Sequence, residues 1–262
     1  MNEWFKLKEF LSYLLRGRSI HAIHSSFVFG FMQNVMLDRR TFYCYEEIEM
    51  LRNELLQSNE LIDVTDLGAG SYASTSSQRK IKTIAKNSAT PRKLAQLLFR
   101  IGNYFDCRRI VEVGTSLGLT SLYFSSISKE AKVITVEGDS QLAALAMKNF
   151  QSLERKNIEL LQGSFEEKLP EALSQLTLID LGYLDGNHRK EATLSYFNSM
   201  LPFTHEKTIL IIGDIHWSPE MKGAWNEITS QPQVTLTLDL FYVGIIFFRT
   251  ELLKQNFVLR FL

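Results

Sequence analysis

Hydrophobic positions change their spacing twice along the chain. Up to about Asn87 they recur with a helical period. Trp4, Phe5, Leu7, Phe10, Leu11, Leu14 and Leu15 predict an amphipathic first helix, and further helical stretches run from about Ser26 to Met36 and from Glu46 to Gln57. Thr90-Pro91 then reads as a helix start, with Thr90 as N-cap and Pro91 in the first turn, followed by the apolar stripe Leu94, Leu97, Leu98 and Ile101. Beyond it, strand-sized apolar runs at 110–113, 133–136, 158–161, 178–184 and 208–212 alternate with helical patterns at 119–128, 140–153, 166–174, 188–200 and 218–228. That alternation predicts parallel βαβ units, with ligands outside the carboxyl ends of the strands. The runs beginning at Val234 and Val243 are too close for a helix between them, so they predict an antiparallel hairpin. The expected organisation is a helical extension over 1–88 and an α/β domain over 89–262.

Composition narrows the function classes. At 262 residues, 45% hydrophobic, the chain can bury a sizeable core, and its formal net charge of zero gives no global field for nucleic acid. Cys44 and Cys107 lack metal-ligand spacing and read as reduced thiols. The charged N-terminus has no signal-peptide core, and no apolar run is long enough to span a bilayer. The expectation is a cytoplasmic protein with a small-molecule partner, and a homodimer is compatible with the composition.

Two glycine turns compete as a cofactor cradle. Gly68, Gly70 and Ala73 fit a dinucleotide fingerprint, but no second strand follows and no acidic residue occurs between Asp66 and Asp106, so this segment reads as a turn or lid. The second, Glu112-Val-Gly-Thr-Ser-Leu-Gly118, directly follows an apolar strand and precedes a helix. Gly114 permits a tight turn, Gly118 permits close approach of the next helix, and the following strand ends in Glu137, where an acid can bind ribose hydroxyls. Glu112 in such a loop can help hold an ammonium group. The combination favours a nucleoside cofactor.

The segment from Lys93 through Arg109-Ile-Val-Glu-Val-Gly-Thr-Ser-Leu-Gly-Leu-Thr resembles class I S-adenosylmethionine-dependent methyltransferases, specifically the catechol and caffeoyl-coenzyme A type O-methyltransferases. The likeness continues through Val136-Glu137, Gly163-Ser164-Phe165, Leu184-Asp-Gly-Asn-His188 and Ile211 to Trp217, covering roughly residues 90–250. It implies a Rossmann-like methyltransferase fold: a mostly parallel seven-stranded sheet with a C-terminal antiparallel hairpin, preceded by the helical extension. It also implies S-adenosylmethionine as cofactor, lined by Glu112, Gly114, Thr115, Ser116, Gly118, Glu137, Gly163, Ser164, Phe165 and Asp185. Asp185 and Asp214 fall where that family has magnesium-binding aspartates, but Ile215 stands where its third ligand is an asparagine. His188 replaces the family's lysine base, and the Asp-Gly-Asn-His form is similar to a broader Asp-Gly-x-His group of methyltransferases.

Methyl transfer to a hydroxyl needs the acceptor held in line and its proton removed, a task suited to histidine. His188, His216 and Asp185 are the candidate catalytic residues, with Asp185 and Asp214 as metal ligands, and these four are expected to converge if their strands neighbour each other. The alternative for Asp185 is a helix cap, and for His216 a packing role beside Trp217. The acid-free basic run Arg79, Lys80, Lys82, Lys86, Arg92, Lys93 and Arg100 reads as a solvated face, or as an attraction for an anionic acceptor. The leading function is O-methylation of a small-molecule or saccharide-like hydroxyl. The alternatives are an RNA or protein methyltransferase, or a non-catalytic cofactor-binding protein of the same fold.

Overall fold

The computed structural model describes residues 3–64 and 78–261; the Gly68-Ala69-Gly70 turn lies outside the described residues. In chain order the elements are α1 (Glu3–Arg16), α2 (Ser26–Phe31), α3 (Cys44–Gln57), β1 (Leu61–Asp63), β2 (Gln78–Lys80), α4 (Ile81–Asn87), α5 (Arg92–Tyr104), β3 (Arg109–Val113), α6 (Leu119–Ser125), β4 (Lys132–Glu137), α7 (Ser140–Ser152), β5 (Ile158–Gln162) and α8 (Phe165–Leu176). They continue with β6 (Leu181–Leu184), α9 (Lys190–Met200), β7 (Ile209–Gly213), α10 (Pro219–Ser230), β8 (Leu236–Asp239), β9 (Val243–Phe247) and β10 (Gln255–Val258). Among the described residues no helix is long and apolar enough to cross a membrane.

The chain forms two compact units, residues 39–176 and residues 1–38 with 177–262. In the first, β3, β4 and β5 pair in parallel in that order, with residues 111 and 134 and residues 136 and 161 in register. Strands β3 and β4 are buried along nearly their whole length, as parallel strands covered by helices must be. A continuous apolar cluster joins α3 and α4 to α5 and α6 through Tyr45, Ile48, Ile84, Phe99, Leu122 and Tyr123. Part of the basic run finds partners here: Arg92 lies 4.0 Å from Glu49, and buried Arg100 reaches the Tyr45 hydroxyl.

In the other unit β6 and β7 are parallel, β9 pairs antiparallel to β7, and β8 pairs antiparallel to β9. This is the predicted hairpin, with its second strand inserted beside β7. An additional strand, β10, adds in parallel to β8. The sequence reading omits it, although buried Phe257 and Leu259 alternate with more exposed neighbours. Helix α1 is fastened to this end of the chain: the Tyr13 hydroxyl donates to the Leu259 carbonyl (2.6 Å) and accepts from the Phe261 N–H (2.8 Å). Phe241 meets Phe10 edge-on and Tyr13 at a tilt.

Other departures are local. Pro91, not Thr90, is the N-cap of α5, and Thr90 accepts a hydrogen bond from Thr120 instead. The predicted helix from Ser26 to Met36 turns from α to π at Met32. Strand β6 starts at Leu181 rather than Leu178, because the Ile179 N–H bonds the Phe203 carbonyl outside the sheet. Both cysteines are buried and free, and burial pushes the Cys44 thiol up to about 12, so it is not a nucleophile at neutral pH.

Candidate functional site

The loop after β3 is shaped from beneath by a buried polar cluster. Glu112 is fully buried; it accepts hydrogen bonds from Ser121 and from Thr135 (2.7 Å), and Thr135 lies 2.6 Å from the Thr115 hydroxyl. Glu112 and Thr115 therefore point their side chains under the loop and brace it. Gly114 has φ +99° and Ser116 φ +50°, so the chain reverses sharply at the strand end. Gly118, at φ +77°, is required by packing as well: a β-carbon there would lie 2.4 Å from Cε1 of Phe150 on α7.

Glu137 ends β4 directly beside this loop. Its carboxylate accepts from the Ser116 N–H (2.8 Å) and the Asp139 N–H (3.0 Å). Burial pushes its pKa up, while those backbone donors pull the other way. The Gly163 N–H bonds the Glu137 carbonyl (2.9 Å), bringing the start of Gly163-Ser164-Phe165 to the same edge. Ser164 caps the first turn of α8 through the Glu167 N–H, and Phe165 is half-buried. The Ser116 hydroxyl oxygen is buried with no hydrogen-bond partner. A buried hydroxyl normally finds a partner, so its position fits a ligand that supplies a polar atom.

In the other unit the segments after β6 and β7 bring Asp185, His188 and Asp214 together, with one ligand atom from each within 4.8 Å of the others. His188 Nε2 is 3.8 Å from Asp214 Oδ2. Asn187, His188 and Asp214 all hold positive φ (+64°, +36° and +54°), a concentration of backbone strain of the kind that accompanies functional sites. Burial raises the Asp214 pKa to about 6; His188 and Lys6 oppose that rise and Asp185 adds to it. Arg189, not Asp185, stands at the N-cap position of α9, and its side chain makes no cap hydrogen bond. The Asn187 Oδ1 atom is buried without a hydrogen-bond partner.

His216 does not join the other three. It is buried, with Nδ1 3.1 Å from Glu9 and Nε2 2.9 Å from Asp239, and it stacks on Phe241. Lys222 also bonds Glu9. Burial acts most strongly to raise the Glu9 pKa, but Lys222 and His216 together hold it below the usual range. The two-residue separation from Asp214 carries His216 into this packed network instead. Glu9 and Lys6 lie far away in sequence, and no motif pointed to either. His21 and His24 are exposed.

Asp185, His188 and Asp214 offer two carboxylates and an imidazole, donors that could hold a divalent cation, while Ile215 beside Asp214 is fully buried and offers none. Residues 111–215 match a family model described as a methyltransferase domain. Among solved structures, an O-methyltransferase from Bacillus cereus in complex with SAH is similar at TM-score 0.55 and 14% identity, covering 87% of this chain and 100% of that one. The SAH-bound Podospora anserina methyltransferase gives TM-score 0.60 and 13% identity over 88% and 99% of the two chains. An O-methyltransferase from Streptomyces achromogenes, involved in tomaymycin synthesis and complexed with SAM, gives 0.58 and 14% over 84% and 94%. No curated protein sequence matches the chain. At these identities the likeness is one of fold, and the family match covers residues 111–215. Residues 111–215 therefore resemble a methyltransferase domain, and the chain has the Rossmann-like fold of the methyltransferase structures it is similar to.

Proposed function

We propose that this protein is an O-methyltransferase that uses S-adenosylmethionine to methylate a hydroxyl of a small molecule. The observation that carries the reading is the convergence of Asp185, His188 and Asp214 on strained backbone, in a chain whose β4 ends in Glu137 beside a braced glycine loop. S-adenosylmethionine, when bound, supplies an activated methyl group for in-line displacement, leaving S-adenosylhomocysteine.

Glu137 accepts the ribose hydroxyls with the lone pairs its backbone contacts leave over. The Ser116 hydroxyl supplies a polar contact, and Gly163, Ser164 and Phe165 flank the base. Glu112 and Thr115 fix the loop from below, and Gly114 and Gly118 give it its path. On the acceptor side, the His188–Asp214 pair takes the hydroxyl proton, and Asp185 orients the oxygen. Asp185 and Asp214 would hold a divalent ion such as magnesium, which when bound would make the hydroxyl more acidic. Residues 1–88 are proposed to contribute acceptor selectivity, and a homodimer is the proposed assembly.

The test is incubation with methyl-labelled S-adenosylmethionine and separate pools of phenols, sugars, total RNA and protein. Label in an alkali-stable methyl ether of a small molecule supports the reading. Label confined to RNA or protein, or absent from every pool, overturns it.

A further inference from the structure

Helix α1 is built inside out. The residues it buries are Glu9 and Tyr13, whereas Trp4, Leu7, Leu11 and Leu15 lie in line on its outer side, spaced three and four residues apart. Those four are 72%, 49%, 52% and 85% exposed. Single apolar side chains at a surface call for no explanation, but a row of large ones along one helix marks a surface that something covers. Cations border the row. Lys8 and Arg16 project from the same helix, Arg18 follows it, and Arg260 is drawn alongside by its hydrogen bond to the Leu14 carbonyl (3.2 Å). All four are exposed: Arg16 bonds Ser12 and Arg18 lies over Phe257, and among the described residues none of the four pairs with a carboxylate. The exposed acid of α1 is Glu3, in its first turn.

We propose that α1 is a membrane-surface helix, which lays the row from Trp4 to Leu15 into the headgroup layer of an anionic bilayer while Lys8, Arg16, Arg18 and Arg260 meet the lipid phosphates. At 14 residues the helix is too short to cross a bilayer. Lying flat is the placement that an apolar row bordered by cations suits. Size favours the bilayer over a second copy of the chain. The row offers roughly 500 Å² of apolar surface, against about 800 Å² that each partner gives to a standard stable interface. A bilayer sets no such minimum, because buried apolar area and attraction to anionic lipid add together. Charge points the same way, since four cations without carboxylate partners complement phosphates. The chain's formal net charge of zero conceals this, because the cations are gathered locally.

Vesicle sedimentation of the full chain tests this, with vesicles of phosphatidylcholine alone and of phosphatidylcholine and phosphatidylglycerol in equal parts. Wild type should sediment with the anionic vesicles and bind the neutral ones at least about tenfold more weakly. Leu11→Gln/Leu15→Gln should weaken binding to the anionic vesicles by about tenfold or more, and Lys8→Gln/Arg16→Gln should weaken it by about tenfold. All four side chains are exposed, so the melting curves of both variants should match wild type. A wild type that stays in solution with anionic vesicles overturns the proposal, as does a leucine variant that binds them as well as wild type does. Light scattering covers the other occupant. A wild-type dimer in solution that Leu11→Gln/Leu15→Gln splits into monomers assigns the row to a second copy, and overturns the proposal too.

Discussion

A β-carbon on Gly213 would lie 2.2 Å from Oδ1 of Asp185, so the last residue of β7 has to be glycine for the aspartate after β6 to stay where it is. The main obstacle is a side-chain carboxylate, with the Leu184 carbonyl oxygen at 3.3 Å a lesser one. Gly213→Ala is therefore expected to fold and to swing Asp185 out of the cluster. Methyl transfer should fall by roughly 10- to 100-fold, in line with displacing a positioning group, with the thermal midpoint nearly unchanged. Steady-state kinetics beside a melting curve checks this; full activity would mean that the position of Asp185 does not matter.

Gly118 makes a different prediction, because there both the backbone and the packing object. Left-handed φ and overlap with Phe150 together should make Gly118→Ala destabilising by about 3 kcal/mol. Adding Phe150→Leu should recover part of the loss by removing the overlap while leaving the backbone cost. Urea denaturation of the single and double variants measures both.

His216 is expected to matter for stability rather than chemistry. Replacing it with alanine leaves Glu9 and Asp239 facing each other in a buried site, at a cost of about 3–5 kcal/mol. At a temperature where His216→Ala remains folded, kcat should stay within about twofold of wild type, whereas His188→Ala should lose about 100-fold or more. Loss of turnover in folded His216→Ala would return that residue to the chemistry.

The α/β pattern was legible because buried parallel strands are short continuous apolar runs, and β3, β4 and β7 fall within a residue or two of where the runs lie. The Asp185–His188–Asp214 cluster was legible too, since strand-end positions in neighbouring parallel strands meet. The partners of the last two strand-end residues were not. His216 and Glu9 are 207 residues apart, and only the docking of α1 brings them together. Glu112 misled in a smaller way: its position in the loop motif says nothing about which way the side chain points, and Ser121 and Thr135 draw it inward.

Asp214 sets the expected pH dependence. Its folded pKa, raised by burial to about 6, lies above the ordinary 3.8. A raised carboxyl pKa contributes stability below the ordinary value, and that contribution is lost as pH rises through about 6. Asp214→Asn should therefore gain stability relative to wild type at pH 7.5 but not at pH 4, by no more than about 1 kcal/mol because the side chain is partly solvated. Turnover should move oppositely, rising through pH 6 in wild type as the carboxylate becomes available. Melting curves and a pH–rate profile of the two proteins test both signs.

The central claim is that the loop from Ile110 to Gly118 and the acid at the end of β4 hold S-adenosylmethionine, and calorimetric titration with S-adenosylhomocysteine tests it most directly. The account predicts one site per chain in wild type and affinity at least about tenfold weaker in Glu137→Ala, the cost of about one charge-assisted hydrogen bond. Absence of binding in wild type, or equal affinity in the two proteins, would contradict it.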